Sequence, residues 1–390
     1  VVGDDYAGGF TISSTTKGIG SLSSTNFNVT VNVTGNPVRD AHWGMEKTLA
    51  YYKNVLDLNS YDGKGATIYQ FVNPIDTAWL PNNAYARTQD IPYCIVYGLG
   101  DGINCNPWVA LDIVAHEFTH LVTQIGTMSG LENQGESGAL NEAIADCMSV
   151  AADFYTHGDS ANWQIADGVT QNGIPNMRDL SNPKMSGGGL YNPPTLSYPQ
   201  PDTYQGENWV DPSNLNSDNG GIHFNNGVFN YWFYLLTEGG SGVNDNEQSY
   251  DVKGIGIQKT EKLLMHIILN YLEPEMNYSQ MRIVSQYAAI DLWGNESEEL
   301  AQVKNAWFAV GVADRTPIES VEETMLNVYS VDGNVVVETE ENSMIDVYSL
   351  VGQHLVSVKA ESGFTTIPMI EDNNVVIVKV GGQAQKVMIK

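Results

Sequence analysis

Two histidines four residues apart, with a glutamate directly after the first, constrain this chain more than any other feature: His116-Glu117-x-x-His120 in "VAHEFTHL". On an α-helix that spacing puts both imidazoles on one face about one turn apart, within reach of a single metal ion. Glu117 lies beside that line, where a carboxylate can take a proton from water held at the metal. The segment 107–125, "PWVALDIVAHEFTHLVTQI", is therefore predicted helical, and the fold has to bring a third ligand to it. A longer HExxHxxGxxH pattern needs Gly at 123 and His at 126, but the chain has Thr123 and Gly126, so that ligand set is excluded. The segment "GALNEAIAD" supplies an alternative: Glu142 as third ligand, with Asn141 and Asp146 holding the imidazole N–H groups from behind. The plainer reading is three polar residues on an ordinary amphipathic helix.

The chain changes character twice along its 390 residues. Up to about residue 105 it is rich in Thr, Ser, Val, Gly and Tyr, with alternating stretches such as "NFNVTVNV" that predict strands, and with one helical segment at 39–56. From 108 to about 312 helical patterns dominate, the last opened by a predicted capping box of Asn295 and Glu298. Residues 157–221 form a long Gly-, Pro-, Asn- and Tyr-rich stretch of the kind that carries function when it occurs inside a compact domain. Beyond about 325 come short alternating runs with Gly and Asn turns, which predict a small β-sandwich. The expected organisation is α+β: a β-rich N-terminal lobe over 1–130, a mainly helical lobe over 131–314, and a β-sandwich over 325–390.

Charge narrows the function classes. With 18 Lys and Arg against 46 Asp and Glu, the net charge is −28, which repels nucleic acid and argues against a polybasic membrane anchor. No apolar run reaches the length of a membrane span, and the opening "VVGDDYAGGF" lacks the regions of a signal peptide, so the expectation is a processed, soluble, extracellular chain. Cys94 and Cys105 are close enough in sequence to close a small disulfide loop, although spacing does not fix the geometry, and Cys147 reads as a buried apolar residue. His42, His157, His266 and His354 have no partner motif and read as structural.

Taken in order, "DIVAHEFTHLVTQ", "ENQGESGALNEAIAD", "RDLSNP" and "DNGGIHFNNGV" resemble the thermolysin family of secreted zinc endopeptidases over roughly residues 40–312. The resemblance implies a two-lobed fold with the active site in a cleft between lobes, and protein or peptide substrates. It implies that zinc is bound by His116, His120 and Glu142, that Glu117 is the general base, and that Asp146 and Asn141 support the ligands. His223, oriented by Asp218, would stabilise the oxyanion, against the alternative of a packed or capping histidine. Arg178 would bind a substrate carbonyl, against a surface ion pair. Asn83 and the backbone of Ala84 would pair with the extended substrate, and Ile113 and Met177 would line a pocket for a bulky apolar side chain after the cleaved bond. Asp112, Asp153 and Asp167 fall where the family gathers carboxylates around calcium; with Asn162 and Gln164 in place of further acids, one calcium is expected, against three solvated acids.

Two departures stand out. The family's second oxyanion donor, a tyrosine, is replaced by Asn133, and the link from the HEFTH helix to "SGALNE" is two residues longer than in the family. The tail, with "IDVYSLVGQHLVSVK", "FTTIPM" and "NVVIVKV", resembles the sorting domain of proteins exported by type IX secretion, which would make that machinery a partner. A binding module would carry more exposed aromatics than Tyr329, Tyr348 and Phe364. The rival function is a non-catalytic surface protein with a structural zinc, which would need a fourth protein ligand where the sequence places no further Cys or His near these helices.

Overall fold

The structure, a computed structural model, describes residues 2–3, 5–7, 9–11, 37–72, 82–89, 93–127, 130–186, 199–312, 327–331, 333–339, 342–349, 354–369, 375–381 and 383–389. The expected strand "NFNVTVNV" lies outside them. The chain forms two compact units, Val1–Val312 and Ala313–Lys390.

The first unit opens with the short strands β1 (Val2–Gly3), β2 (Asp5–Ala7) and β3 (Gly9–Thr11), followed by helix α1 (Pro37–Leu56). Strands β4 (Tyr69–Val72), β5 (Ala84–Arg87) and β6 (Cys94–Tyr97) join β1 in a mixed sheet of order β1-β4-β6-β5. Parallel pairing of β4 with β6 buries all four residues of β6, while β5 runs antiparallel at the edge. The described part of this lobe holds helix as well as strand, because α1 and the metal-motif helix pack onto the sheet. Cys94 sits in the sheet core with Phe71 and Val96, whereas Cys105 bridges by its backbone to Thr170. Both are free thiols, so the expected disulfide is absent: each cysteine is committed to a different packing partner.

Helix α2 (Leu111–Leu121) carries the HEFTH motif and is buried at ten of its eleven residues. It therefore has no solvent face, and the amphipathic alternative fails. Gly44 of α1 lets the two helices approach, since a Cβ there would stand 3.0 Å from Val114 Cγ2. The chain continues into a π-helical turn at Val122–Gly126 and then α3 (Gly135–His157), buried without interruption from Ser137 to Ala152. Two-residue strands β7 (Gln164–Ile165) and β8 (Arg178–Asp179) pair within the long loop region.

Helix α4 (Asp218–Glu238) starts with four consecutive left-handed residues, Asp218, Asn219, Gly220 and Gly221, at φ 51°, 50°, 88° and 76°. Glycine is required at the last two: a Cβ on Gly220 would stand 2.3 Å from the Pro212 carbonyl. Then come the hairpin β9 (Gly239–Val243) and β10 (Ser249–Lys253), and helices α5 (Ile257–Asn270), α6 (Tyr278–Trp293) and α7 (Glu298–Ala309). Trp232 of α4 stacks on Trp307 of α7 at 4.9 Å. The cap of α7 is Ser297, whose hydroxyl accepts from Leu300 N, and the capping box belongs to α6, between Asn277 and Gln280. The predicted Asn295–Glu298 box was thus offset by two residues, because Ser297 is the residue with extended backbone at the helix start. Among the described residues no helix is long and apolar enough to cross a membrane.

The second unit contains β11 (Asn327–Val331), β12 (Asn334–Thr339), β13 (Ser343–Ser349), β14 (His354–Ala360), β15 (Gly363–Pro368), β16 (Val375–Val380) and β17 (Gln383–Met388). They form two antiparallel sheets, β11-β12-β15 and β14-β13-β16-β17. Alternating Val and Ile side chains from both, including Val335, Val337, Val347, Ile367 and Val376, make one apolar cluster. Tyr329 and Phe364 are exposed.

Candidate active site

Helices α2 and α3 lie against each other, and their polar side chains converge. His116 Nε2 and His120 Nε2 are 3.1 Å apart, and Glu142 brings Oε2 to 3.3 Å from the first and Oε1 to 3.6 Å from the second. Donors held around zinc at about 2.0–2.1 Å in a tetrahedron are separated by about 3.3 Å, so this trio fits the ion. Among the described residues this is the one group of three or more His, Cys, Asp or Glu whose ligand atoms all lie within 4.8 Å of one another.

Behind the trio, Asp146 is wholly buried and surrounded by donors. Arg178 donates to both its oxygens, from Nε and Nη2 at 2.7 Å each, and Asn226 and Asn230 donate to Oδ2 at 2.9 and 2.8 Å. His116 Nδ1 lies 2.9 Å from Oδ1, in an ion-pair contact bent away from a straight hydrogen bond. Burial works against the Asp146 charge, but Arg178 and His116 hold its carboxyl down at about 2. Burial likewise disfavours a charged His116, yet the Asp146 and Glu142 carboxylates push it up to about 10. Asn141 Oδ1 accepts the Thr123 hydroxyl at 3.0 Å and faces the His120 ring. Arg178 is therefore not a surface ion pair: it is buried, clamped to Asp146, and also lines the cleft.

Glu117 projects into the same cleft, a space of about 890 Å³ that also exposes Asn83, Ala84, Ile113, Met177 and His223. Burial raises its carboxyl to about 7, although neighbouring His116 and the Ala86 backbone N–H pull it down. A carboxylate poised near neutrality suits proton transfer in both directions.

His223 is brought in by α4. The left-handed turn folds Asp218 back so that its carboxylate accepts from His223 N at 2.7 Å and stands 2.8 Å from Nδ1. Nε2 then points to the centre, 3.4 Å from Glu142 Oε2. Burial opposes charging this ring, but Glu142 and Asp218 raise it above the ordinary histidine value. The resemblance implied His223 at the oxyanion, and α4 brings it to this cleft, outside the three-donor group. Asn133 is exposed at the cleft wall.

Asp112, Asp153 and Asp167 are brought into each other's electrostatic field rather than into one tight ligand cluster. Burial lifts Asp112 to about 6; the Ala166 N–H opposes this, and the Asp167 and Asp153 charges add to it. Asp153 Oδ1 is 2.7 Å from His157 Nδ1, so His157 is not partnerless. Sequence reasoning missed Asn226, Asn230 and Gln200. The first two repeat the i, i+4 spacing of the histidines, which was a usable signal; Gln200 sits in the loop region and left none.

Residues 10–124 match the family profile described as thermolysin metallopeptidase, catalytic domain, and residues 129–312 match thermolysin metallopeptidase, alpha-helical domain. The chain is 35% identical over 276 residues to thermolysin of Alicyclobacillus acidocaldarius subsp. acidocaldarius, covering 70% of this chain and 45% of that one. It is 36% identical over 278 residues to bacillolysin of Brevibacillus brevis, with coverage of 70% and 45%. The chain thus spans less than half the length of these relatives. Among solved structures, the precursor of protealysin from Serratia proteamaculans shares the fold at a TM-score of 0.57 and 23% identity, covering 73% of this chain and 80% of that one.

Proposed function

Because the chain belongs to the thermolysin family of metallopeptidases, we propose that its first unit is a zinc-dependent endopeptidase. The observation that carries this is the convergence of His116, His120 and Glu142 at 3.1–3.6 Å in an open cleft that also holds Glu117. A zinc ion on those three residues would supply Lewis-acid polarisation of the scissile carbonyl and acidify the attacking water. Glu117 takes the proton of that water as it attacks the carbonyl carbon, then delivers it to the leaving amine nitrogen. His223, its Nδ1 held by Asp218, directs Nε2 toward the oxygen that gains charge. Arg178 binds a substrate carbonyl, Asn83 and the Ala84 backbone hold the extended chain, and Ile113 with Met177 favour a bulky apolar side chain after the cleaved bond. The rival structural-zinc reading lacks support, since no fourth Cys, His, Asp or Glu joins the group among the described residues.

Peptide-library cleavage with and without a chelator tests this reading, together with Glu117→Gln. That variant is expected to retain zinc and to lose about 10²- to 10⁴-fold in turnover. Near wild-type turnover with zinc bound would remove Glu117 as the base.

We further read Asp112, Asp153 and Asp167 as holding one calcium, on the ground that their mutual fields need a cation. We read the protein as extracellular, in keeping with its charge of −28. The second unit is read as a β-sandwich serving type IX export, supported by its paired sheets and shared apolar cluster. Deletion from about residue 325 should leave cleavage intact and block export in a type IX secreting host. Normal export of the truncated chain would sink that assignment, whereas loss of cleavage would point to a substrate-binding tail.

A further inference from the structure

We propose that Gln200 is a positioning residue that keeps the two arms of the active site in register: the arm carrying His223 and the arm carrying Arg178 and His116. The inference rests on the peptidase reading above. Gln200 is buried at the end of the long loop region and borders the cleft. Its backbone N–H donates to the Pro183 carbonyl at 3.0 Å.

Every polar atom of its amide is used. Nε2 donates to the His223 carbonyl at 2.6 Å and to Asn226 Oδ1 at 2.7 Å. Oε1 accepts from Ser186 Oγ at 3.3 Å, and Ser186 Oγ in turn accepts from the backbone N–H of Asp179, next to Arg178, at 3.1 Å. One side of the amide thus grips α4 at His223, and the other reaches the strand of Arg178.

The polarity of this chain of bonds matters as much as its reach. With Oδ1 of Asn226 occupied by Gln200, its Nδ2 is turned to Asp146 Oδ2 at 2.9 Å. Asp146 has no access to water and depends on such donors, and it meets both Arg178 and His116 Nδ1. An acceptor in place of the Gln200 NH₂ would meet the His223 carbonyl and Asn226 Oδ1, two more acceptors. Asn226 would then be driven to flip its oxygen toward Asp146. A donor at position 200 therefore fixes three groups: where His223 stands, which way Asn226 points, and how firmly Asp146 holds Arg178 and the His116 ring.

The test compares Gln200→Glu, which keeps the length and removes the donor, with Gln200→Met, which fills similar space without polarity. Turnover is measured well below each variant's melting temperature, and apparent zinc affinity by competition with a chromophoric chelator. Gln200→Glu is expected to lower kcat about 10²-fold and Gln200→Met about 10-fold, the scale of a misplacement near 1 Å. KM should change less than kcat, because His223 acts on developing charge. Zinc affinity should weaken about 10-fold in Gln200→Glu, as for other losses behind a ligand histidine. A role confined to stability would lower the melting temperature and leave kcat untouched. Turnover within twofold of wild type in both variants overturns the proposal. If the wild type shows no chelator-sensitive cleavage, the peptidase reading itself falls, and zinc affinity decides alone: unchanged affinity in Gln200→Glu then rejects the role of Gln200.

Discussion

The buried faces of α2 and α3 share one polar seam whose two ends are built on opposite plans. On α2 the rungs are Asp112, His116 and His120, four residues apart; on α3 they are Glu142, Asp146 and Asp153. At the end proposed to hold zinc, carboxylates meet imidazoles and a guanidinium: Glu142 faces His116, His120 and His223, while Asp146 faces His116 and Arg178. At the other end Asp112 and Asp153 lie in the field of Asp167, offset by the backbone N–H groups of Ala166, Ile113 and Asn162 and by His157. At both ends the helical residues recur at steps of four or seven, which keep to one face of each helix. What differs is the partner that tertiary packing delivers: a guanidinium and an extra imidazole at one, a third acid at the other. At the first end Arg178 balances Asp146 while His116, His120 and Glu142 are disposed to hold zinc; at the second the carboxylates face one another, which is why we read them as holding calcium.

The strongest way to break this comparison is Asp146→Asn, which leaves the Arg178 guanidinium buried without its carboxylate. Removing one partner of a buried pair costs about 3–5 kcal/mol, so denaturant unfolding at saturating zinc should show a loss of that size. A cost within the range of an ordinary surface substitution would mean that charge matching does not hold this end together.

A somewhat smaller effect sharpens the catalytic end. His223→Ala should lower turnover about 10²- to 10³-fold, equivalent to about 2.7–4 kcal/mol in the barrier, with zinc retained. Asn133→Ala should change it little, because Asn133 is exposed at the cleft wall while His223 is fixed by two contacts to Asp218. Equal losses from both would show that Asn133 is a working donor in place of the family's tyrosine.

At the acidic end the expected signature is a change of sign. Asp112→Asn removes one of three like charges, so in calcium-free buffer it should melt higher than wild type. In millimolar calcium it should melt lower, because binding to the native state alone adds about 2.7 kcal/mol at a concentration of 100 Kd, and the variant loses that gain. Melting curves that keep the same order with and without calcium would dissolve the contrast between the two ends.

Much of this was legible before the fold was known. The HEFTH spacing implied a helix with two imidazoles on one face, and "GALNEAIAD" offered Glu142, because a period of 3.6 residues is local and needs no partner. Among the described residues, the helical segment at 39–56, the metal-motif helix and the tail strands followed their apolar periodicity, whereas the cap of α7 did not match its predicted place. By contrast, spacing left the Cys94–Cys105 bridge open and the fold decided against it, since closeness in sequence says nothing about which wall of the core each side chain packs into.

The sequence by itself determined which residues carry chemistry and which share a helical face: His116 with His120, Glu142 with Asp146, Asn226 with Asn230. Only the tertiary structure decided which of those faces meet. It brought His223 to within 3.4 Å of Glu142 through a left-handed turn, locked Arg178 to Asp146 across 32 residues, and drew Gln200 from the loop region to tie the two together. The physical reason lies in the burial of α2 and α3. Without water around them, charged and polar groups are stable only against matching partners, and those partners come from segments distant in sequence, where no local period can announce them.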